Sequence, residues 1–254
     1  MRISDFMEKM QAIAPSELKM DYDNVGLLIG PEKQEIKRVL VALDCSTVTA
    51  REAIEWGADL MLTHHPVFFR GTKRISPDDP ATAGAYMLIR HGIGLFAAHT
   101  NLDAANGGVN DALAETLGVK NAVPMGEDGL GRIGTLEKPV RFGDFAKTVG
   151  ERLNTAVRIT GDEEKIISKV ALIGGAAGEY AFAAHNAGAD VFVTGECRHH
   201  EALYAREMGL CLIDAGHYET EKTVLGALIN RLHCAGDDVQ YKVSECEYGP
   251  LRKI

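Results

Sequence analysis

The sequence lacks any hydrophobic run approaching the ~18 residues a membrane span needs, because its longest apolar stretches break at charged or glycine positions. Its opening, Met1-Arg2-Ile3-Ser4-Asp5-Phe6, puts an acid where a secretory signal would need its apolar segment. Together these absences predict a cytoplasmic chain with no membrane partner. Positive charge is in deficit: 27 Lys and Arg stand against 36 Asp and Glu, for a net charge of -9. Non-specific nucleic-acid binding, which neutralises phosphates with a basic patch, is disfavoured, although a local basic groove remains open. There is no CxxC, and the five cysteines (Cys45, Cys197, Cys211, Cys234 and Cys246) are odd in number and widely spaced. They read as reduced thiols, mostly core filler, which excludes a disulfide or zinc-finger framework. No segment is of low complexity. Gly174-Gly175-Ala176-Ala177-Gly178 lacks both GxGxxG spacing and a P-loop lysine, so it reads as a tight strand-to-helix turn.

What is present is a globular composition, 46% hydrophobic and 25% charged over 254 residues, enough for one or two packed cores. Apolar runs of strand length alternate with segments of helical period. Arg38–Leu43, Leu60–Leu62 and Ile93–Ala98 read as strands; a helix capped by Ser46 or Thr47 carries Ala50, Ala53, Ile54 and Trp56, and another lies around Ala81–Arg90. Near-continuous hydrophobic strands separated by helices imply an α/β fold with largely parallel sheets covered on both faces.

An internal repeat organises the chain. Gly57-Ala58-Asp59-Leu60-Met61-Leu62-Thr63 recurs as Gly188-Ala189-Asp190-Val191-Phe192-Val193-Thr194, and at the same offset Arg38–Leu43 matches Lys169–Gly174. Gly94–His99 then resembles Gly209–Asp214 across a shorter connection. Duplication of a β-α-β-α-β unit accounts for this. It predicts two similar lobes, 1–125 and 126–254, with a ligand site in the cleft between them. The turn-forming stretch Pro124–Arg132 reads as a connection or hairpin, and Phe142, Phe145, Val149 and Leu153 give an amphipathic helix with a core-facing stripe.

Three clusters of metal-binding types follow strands. His64-His65-Pro66 comes after Leu60–Thr63; neighbouring side chains in extended backbone point to opposite sides, so the pair reaches two positions and suits two ions. His99-Thr100-Asn101-Leu102-Asp103 follows Ile93–Ala98. Asp103 supplies a hard oxygen, and His99 is a ligand, a partner of a ligand or a proton carrier. Gly107-Gly108 ahead of the Val109–Leu117 helix reads as a capping turn, with anion binding the lesser reading. In Asp214–Glu221, His217 and Glu221 are four apart on one face of a helix expected to run to about Cys234, whereas Glu219 points elsewhere as a solvated first-turn acid. Parallel topology brings the clusters to one rim, and the imidazole and carboxylate set suits zinc, manganese, iron or cobalt. Glu196, His199 and His200 stand where the repeat places the counterpart of His64-His65, and are read evenly as substrate contacts or structure.

The chain resembles the Nif-three-like proteins, also called GTP cyclohydrolase 1 type 2 homologues. The matching pieces are Asp21–Leu27, Leu43-Asp44, Thr63–Pro66, His99–Asp103, Thr194–Glu196 and Gly216–Glu221, in order over nearly the whole chain. The resemblance implies a two-lobed α/β fold with two divalent metal ions per chain, held by His64, His65, Asp103, His217 and Glu221, with Glu221 bridging. It implies a ring-shaped homohexamer with metal sites facing an internal cavity. It also implies the short form of the family, since residues around 125–165 leave no room for an inserted domain. Metal-activated water acting on a nucleotide or small phosphorylated metabolite is the expected chemistry, with ring opening of GTP one candidate and His99 or His199 as proton shuttle. A non-enzymatic metal-binding regulatory or protein-interaction module is the alternative, and direct nucleic-acid binding ranks third.

Overall fold

The strands form where apolar β-branched and leucine runs can be buried on both faces, and helices form between them where polar residues interrupt at helical period. The structure, a computed structural model, describes residues 1–233 and 238–251. It divides into two compact units, one of Met1–Asn106 with Leu225–Tyr248, the other of Gly107–Val224 with Gly249–Ile254.

The first unit opens with α1 (Ile3–Ile13), whose Phe6 ring meets Phe96 edge-on at 5.6 Å. Edge strand β1 (Gly26–Ile29) precedes β2 (Arg38–Ala42), α2 (Thr47–Trp56), β3 (Leu60–Thr63), α3 (Ala83–Arg90), β4 (Gly94–Ala97) and the short α4 (Thr100–Ala104). Ser46 caps α2 by accepting the Thr49 amide, and Gly57 ends it at φ 71°, a left-handed position that costs glycine nothing. Strands β2, β3 and β4 are parallel, with Val39 beside Leu60 and Met61 beside Leu95. Leu40, Met61 and Leu95 pack with Ala50, Ala53 and Leu88 from the helices.

The second unit begins at α5 (Val109–Leu117) and continues through the antiparallel hairpin of β5 (Lys120–Met125) and β6 (Gly131–Arg141). Next come α6 (Phe142–Leu153), β7 (Arg158–Thr160), β8 (Ile166–Ala176), α7 (Ala181–Asn186), β9 (Val191–Glu196), α8 (His199–Glu207), β10 (Cys211–Asp214) and α9 (His217–Glu221). The core stripe of α6 is buried as its period implies, against Leu172, Val191, Val193 and Ile213. Residues 125–165 are taken up by β6, α6 and β7, leaving no inserted domain. Helix α10 (Thr223–His233) is followed by β11 (Gln240–Val243), which returns to the first sheet beside β2.

The sheets run β1-β4-β3-β2-β11 and β5-β6-β8-β9-β10-β7. Both are parallel at the centre, β2-β3-β4 and β8-β9-β10; in the first sheet β1 is antiparallel and β11 joins β2 in parallel, and in the second β5, β6 and β7 pair antiparallel at the margins. The duplication extends to hydrogen bonds that no sequence pattern requires. Asp59 accepts the Lys37 and Arg38 amides at 2.8 and 3.2 Å, and Asp190 accepts those of Ser168 and Lys169 at 2.9 and 2.8 Å. Arg38 reaches the Trp56 carbonyl at 3.0 Å, as Lys169 reaches that of Ala187 at 2.7 Å.

Two expectations need correction. The single helix from His217 to about Cys234 is two helices, broken at Lys222, and Cys234 lies outside the described residues. The Thr220 hydroxyl bonds back to the Gly216 and His217 carbonyls, and that of Thr223 to Thr220, competing with continuous helix at the break. The described cysteines are free thiols, but only Cys211 is buried; Cys45 and Cys197 are half-buried and Cys246 is exposed, so core filling is the exception. Among the described residues no helix is long and apolar enough to cross a membrane.

Candidate metal centre

In the first unit the chain bends immediately after β3, with the Thr63 hydroxyl donating to the His65 carbonyl at 2.9 Å. The bend overrides the alternation expected of extended backbone. The His64 and His65 rings therefore do not splay to opposite sides but lie 4.9 Å apart, and the His99 ring is 5.1 and 5.6 Å from them. One potential ligand atom from each of the three rings falls within 4.8 Å of the others.

Each of these rings is oriented through Nδ1. His64, buried, donates to the Ala98 carbonyl at 2.9 Å; His65 bonds Asp44 at 2.8 Å; His99 bonds Asp23 at 2.9 Å. Nε2 is thus the nitrogen each ring can offer a metal, the arrangement typical of metal-bound histidine. The carbonyl of Ala98 can only accept, so a neutral His64 ring turns the Nε2 lone pair toward Asp103 on α4, 3.6 Å away. A cation between two such acceptors satisfies both. Burial pushes the Asp23 carboxyl up, but bonds from His99 and from the Thr100 amide and hydroxyl outweigh it and hold Asp23 well below the usual carboxylate range. Asp23 therefore stays ionised opposite His99.

In the second unit, α9 begins directly after β10 and sets His217 and Glu221 on one face, with Nε2 to Oε2 at 3.2 Å. The other nitrogen, Nδ1, bonds Glu196 at the end of β9 at 2.9 Å. Close approach of α9 to the strand ends demands glycine at two places. Gly175 has φ 68°, and a Cβ there would lie 2.2 Å from the Glu221 carboxylate; one on Gly195 would lie 2.8 Å from the His217 Cα. The run Gly174–Gly178 is therefore neither a phosphate loop nor only a turn: β8 continues through Ala176, and Gly175 makes room for Glu221. Likewise the Gly107-Gly108 turn serves capping, since the Gly107 amide is taken by Asp111 at 2.6 Å.

A cavity of about 820 Å³ in this unit is lined by His217 with Glu179, Glu196, Glu201, Asp214 and Glu219, against Arg158 and Arg198. Glu219 is half-buried along its wall, not fully solvated, though no hydrogen bond joins it to His217 or Glu221. His199 and His200 start α8 exposed and do not line the cavity; the His200 ring rests on Tyr204 at 5.8 Å. Of the strand-end residues read evenly from sequence, Glu196 is the one that touches a candidate ligand. The donors, imidazole nitrogen and carboxylate oxygen without thiolate, fit zinc, manganese, iron or cobalt.

The model of the Duf34/NIF3 family, described as NGG1p interacting factor 3, matches residues 1–250. The chain belongs to the NIF3 family. A relative from Clostridium perfringens called a GTP cyclohydrolase 1 type 2 homolog is 35% identical, with all of both chains covered. One of the same name from Clostridium acetobutylicum is 33% identical over 99% of this chain and 98% of its own. Among solved structures, a hypothetical protein of Staphylococcus aureus superposes with a TM-score of 0.92 at 31% identity, covering 100% of this chain and 99% of that one.

The residues that orient the histidines of this NIF3-family chain were only partly visible in sequence. Asp23 and Asp44 lie inside stretches that carry the resemblance, but nothing in their spacing shows which ring each one holds. Glu247 gave no signal at all. It arrives with the returning C-terminal chain and accepts the Leu43 and Asp44 amides at 2.8 and 2.7 Å, fixing the backbone that presents Asp44 to His65.

Proposed function

We propose that this NIF3-family chain is a metal-dependent hydrolase acting on a nucleotide or similar small phosphorylated metabolite. The observation that carries the reading is the first unit's three imidazoles, gathered within one ion's reach and each fixed at Nδ1 by an acceptor. In this reading His64, His65, Asp103, His217 and Glu221 would hold two divalent ions per chain. Bound divalent ions supply Lewis acidity and bring the pKa of water down to about 7. Asp44 and Glu196 orient His65 and His217. His99, whose Nδ1–H donates a hydrogen bond to the ionised Asp23, moves a proton at Nε2. The name shared by the two clostridial relatives supports a nucleotide substrate and makes ring opening of GTP one candidate. Assembly as a homohexamer belongs to the same proposal, and light scattering coupled to size exclusion tests it.

Turnover of nucleotides and small phosphate esters by metal-loaded protein, absent after chelation and restored by metal, is the expected result. Background rates across the whole panel contradict it. The words "interacting factor" in the family's description favour a second reading, a non-enzymatic metal-binding interaction protein. Stable partners retained by a His64→Ala variant, with no turnover in wild type, support that reading instead.

A further inference from the structure

Beyond His65 the chain runs Phe68-Phe69-Arg70-Gly71-Thr72-Lys73-Arg74, a concentration of cations in a protein of net charge -9. All three cations are exposed. Arg74 lies 3.7 Å from Asp79, whereas among the described residues no carboxylate pairs with Arg70 or Lys73. The contrast is the second unit's cavity, where Arg158 is paired with Asp214 and Arg198 with Glu201. An anion gains little from a guanidinium already neutralised; it gains most from one whose donors are unspent.

The same loop brings aromatic surface up to the histidines. Phe69, 40% exposed, stands edge-on to the His99 ring at 5.9 Å, and Tyr22, 63% exposed, stands edge-on to Phe69 at 6.0 Å. Tyr22, Phe69 and His99 thus form a line of rings from the surface to the imidazole cluster. Asn24 anchors the loop by donating to the Phe68 carbonyl at 2.7 Å. Hollows of about 370 and 680 Å³ flank it, both lined by Phe69, Arg70, Gly71 and Thr72.

We propose that residues 68–74 with Tyr22 form a binding site for a small ligand joining a planar ring to a phosphate. Phe69 and Tyr22 take the ring, and Arg70 and Lys73 take the phosphate. As a substrate site this rests on the hydrolase reading; as a binding site it stands alone. Two unspent cations suit one phosphate group, not the extended track that single-stranded nucleic acid follows.

The test is calorimetric titration of the zinc-loaded full-length chain with GMP, guanosine and inorganic phosphate. An Arg70→Ala/Lys73→Ala variant is expected to bind GMP at least about tenfold more weakly and with less salt dependence, while guanosine affinity is unchanged. Phe69→Ala is expected to weaken GMP and guanosine by about tenfold and leave phosphate unaffected. Tyr22→Ala, farther along the line from His99, repeats the ring test independently of metal content. Unchanged affinities in these variants, no saturable binding of any probe to wild type, or far tighter binding of a single-stranded oligonucleotide than of GMP each overturn the proposal. Loop-dependent GMP binding without turnover upholds it and removes the hydrolase reading; turnover with loop-independent binding does the reverse.

Discussion

The two copies of the β-α-β-α-β unit share a frame and part company at their strand ends. Asp59 and Asp190 fasten the start of β2 and β8 in the same way, and Arg38 and Lys169 bond equivalent carbonyls. At the carboxyl ends, His64-His65 in one copy corresponds to Gly195-Glu196 in the other, and Asp44 corresponds to Gly175. The first copy carries His64 and His65 in the bend just past β3 and Asp103 on α4. The second reduces its strand ends to glycine and packs α9 over them, so that His217 and Glu221 supply the donors from a helix. Duplication preserved what holds the sheets and released what the strand ends do.

Each copy's margin is also pinned by buried charge, and breaking that pin in the second copy should have the largest effect. Arg132 on β6 is 1% exposed and bonds Asp111 at 2.6 Å as well as the Gly129 and Gly131 carbonyls. Arg132→Ala strands the half-buried Asp111 carboxylate and the two carbonyls, and should cost about 3 kcal/mol in urea unfolding. A loss under about 1 kcal/mol would show that the hairpin margin is held by something else.

Gly175→Ala comes next. A side chain at φ 68° that also meets Glu221 should cost roughly 1–3 kcal/mol and reduce metal content, because Glu221 must move. Unaltered metal uptake would mean that Glu221 does not need the space glycine leaves.

Much of this frame was legible in sequence because burial writes itself into composition. The repeat, the parallel central strands and the i, i+4 pair on α9 each leave a periodic trace. The convergence of His64 with His65 was not legible, since the Thr63 hydroxyl bends the backbone just where alternation would have separated them. Nor was the return of β11 to the first sheet, a pairing between strands almost the whole chain apart that local pattern cannot encode. Asp44 and Glu196 act through geometry alone, and a lone acid near a histidine in sequence says nothing of the bond between them.

Those two acids sharpen the comparison, because they play one role from different elements. Asp44→Ala and Glu196→Ala should each weaken metal binding about tenfold or more, with little change in melting temperature, as both are exposed on the surface. Loss from one variant alone would assign the metal to that copy.

The smallest effect is a pH effect confined to the first copy. Burial raises the Glu52 carboxyl, but bonds from Ser244, the Glu245 and Cys246 amides and Lys242 outweigh it and hold Glu52 at about 2, against an ordinary 4.5. The folded state thus releases this proton more readily than the unfolded one. The clamp's contribution is complete above pH 4.5 and is lost as pH falls toward about 2. Glu52→Gln should lower stability at neutral pH and flatten the decline over that window. An unchanged acid limb in urea midpoints would remove Glu52 from the account.

Metal analysis of wild type, Glu221→Ala and Glu219→Ala tests the proposed two-ion centre most directly. Wild type loaded with zinc should retain two ions per chain, Glu221→Ala should lose occupancy of both, and Glu219→Ala, whose carboxylate bonds neither His217 nor Glu221, should match wild type. One ion per fully loaded chain, or equal losses in the two variants, would contradict it.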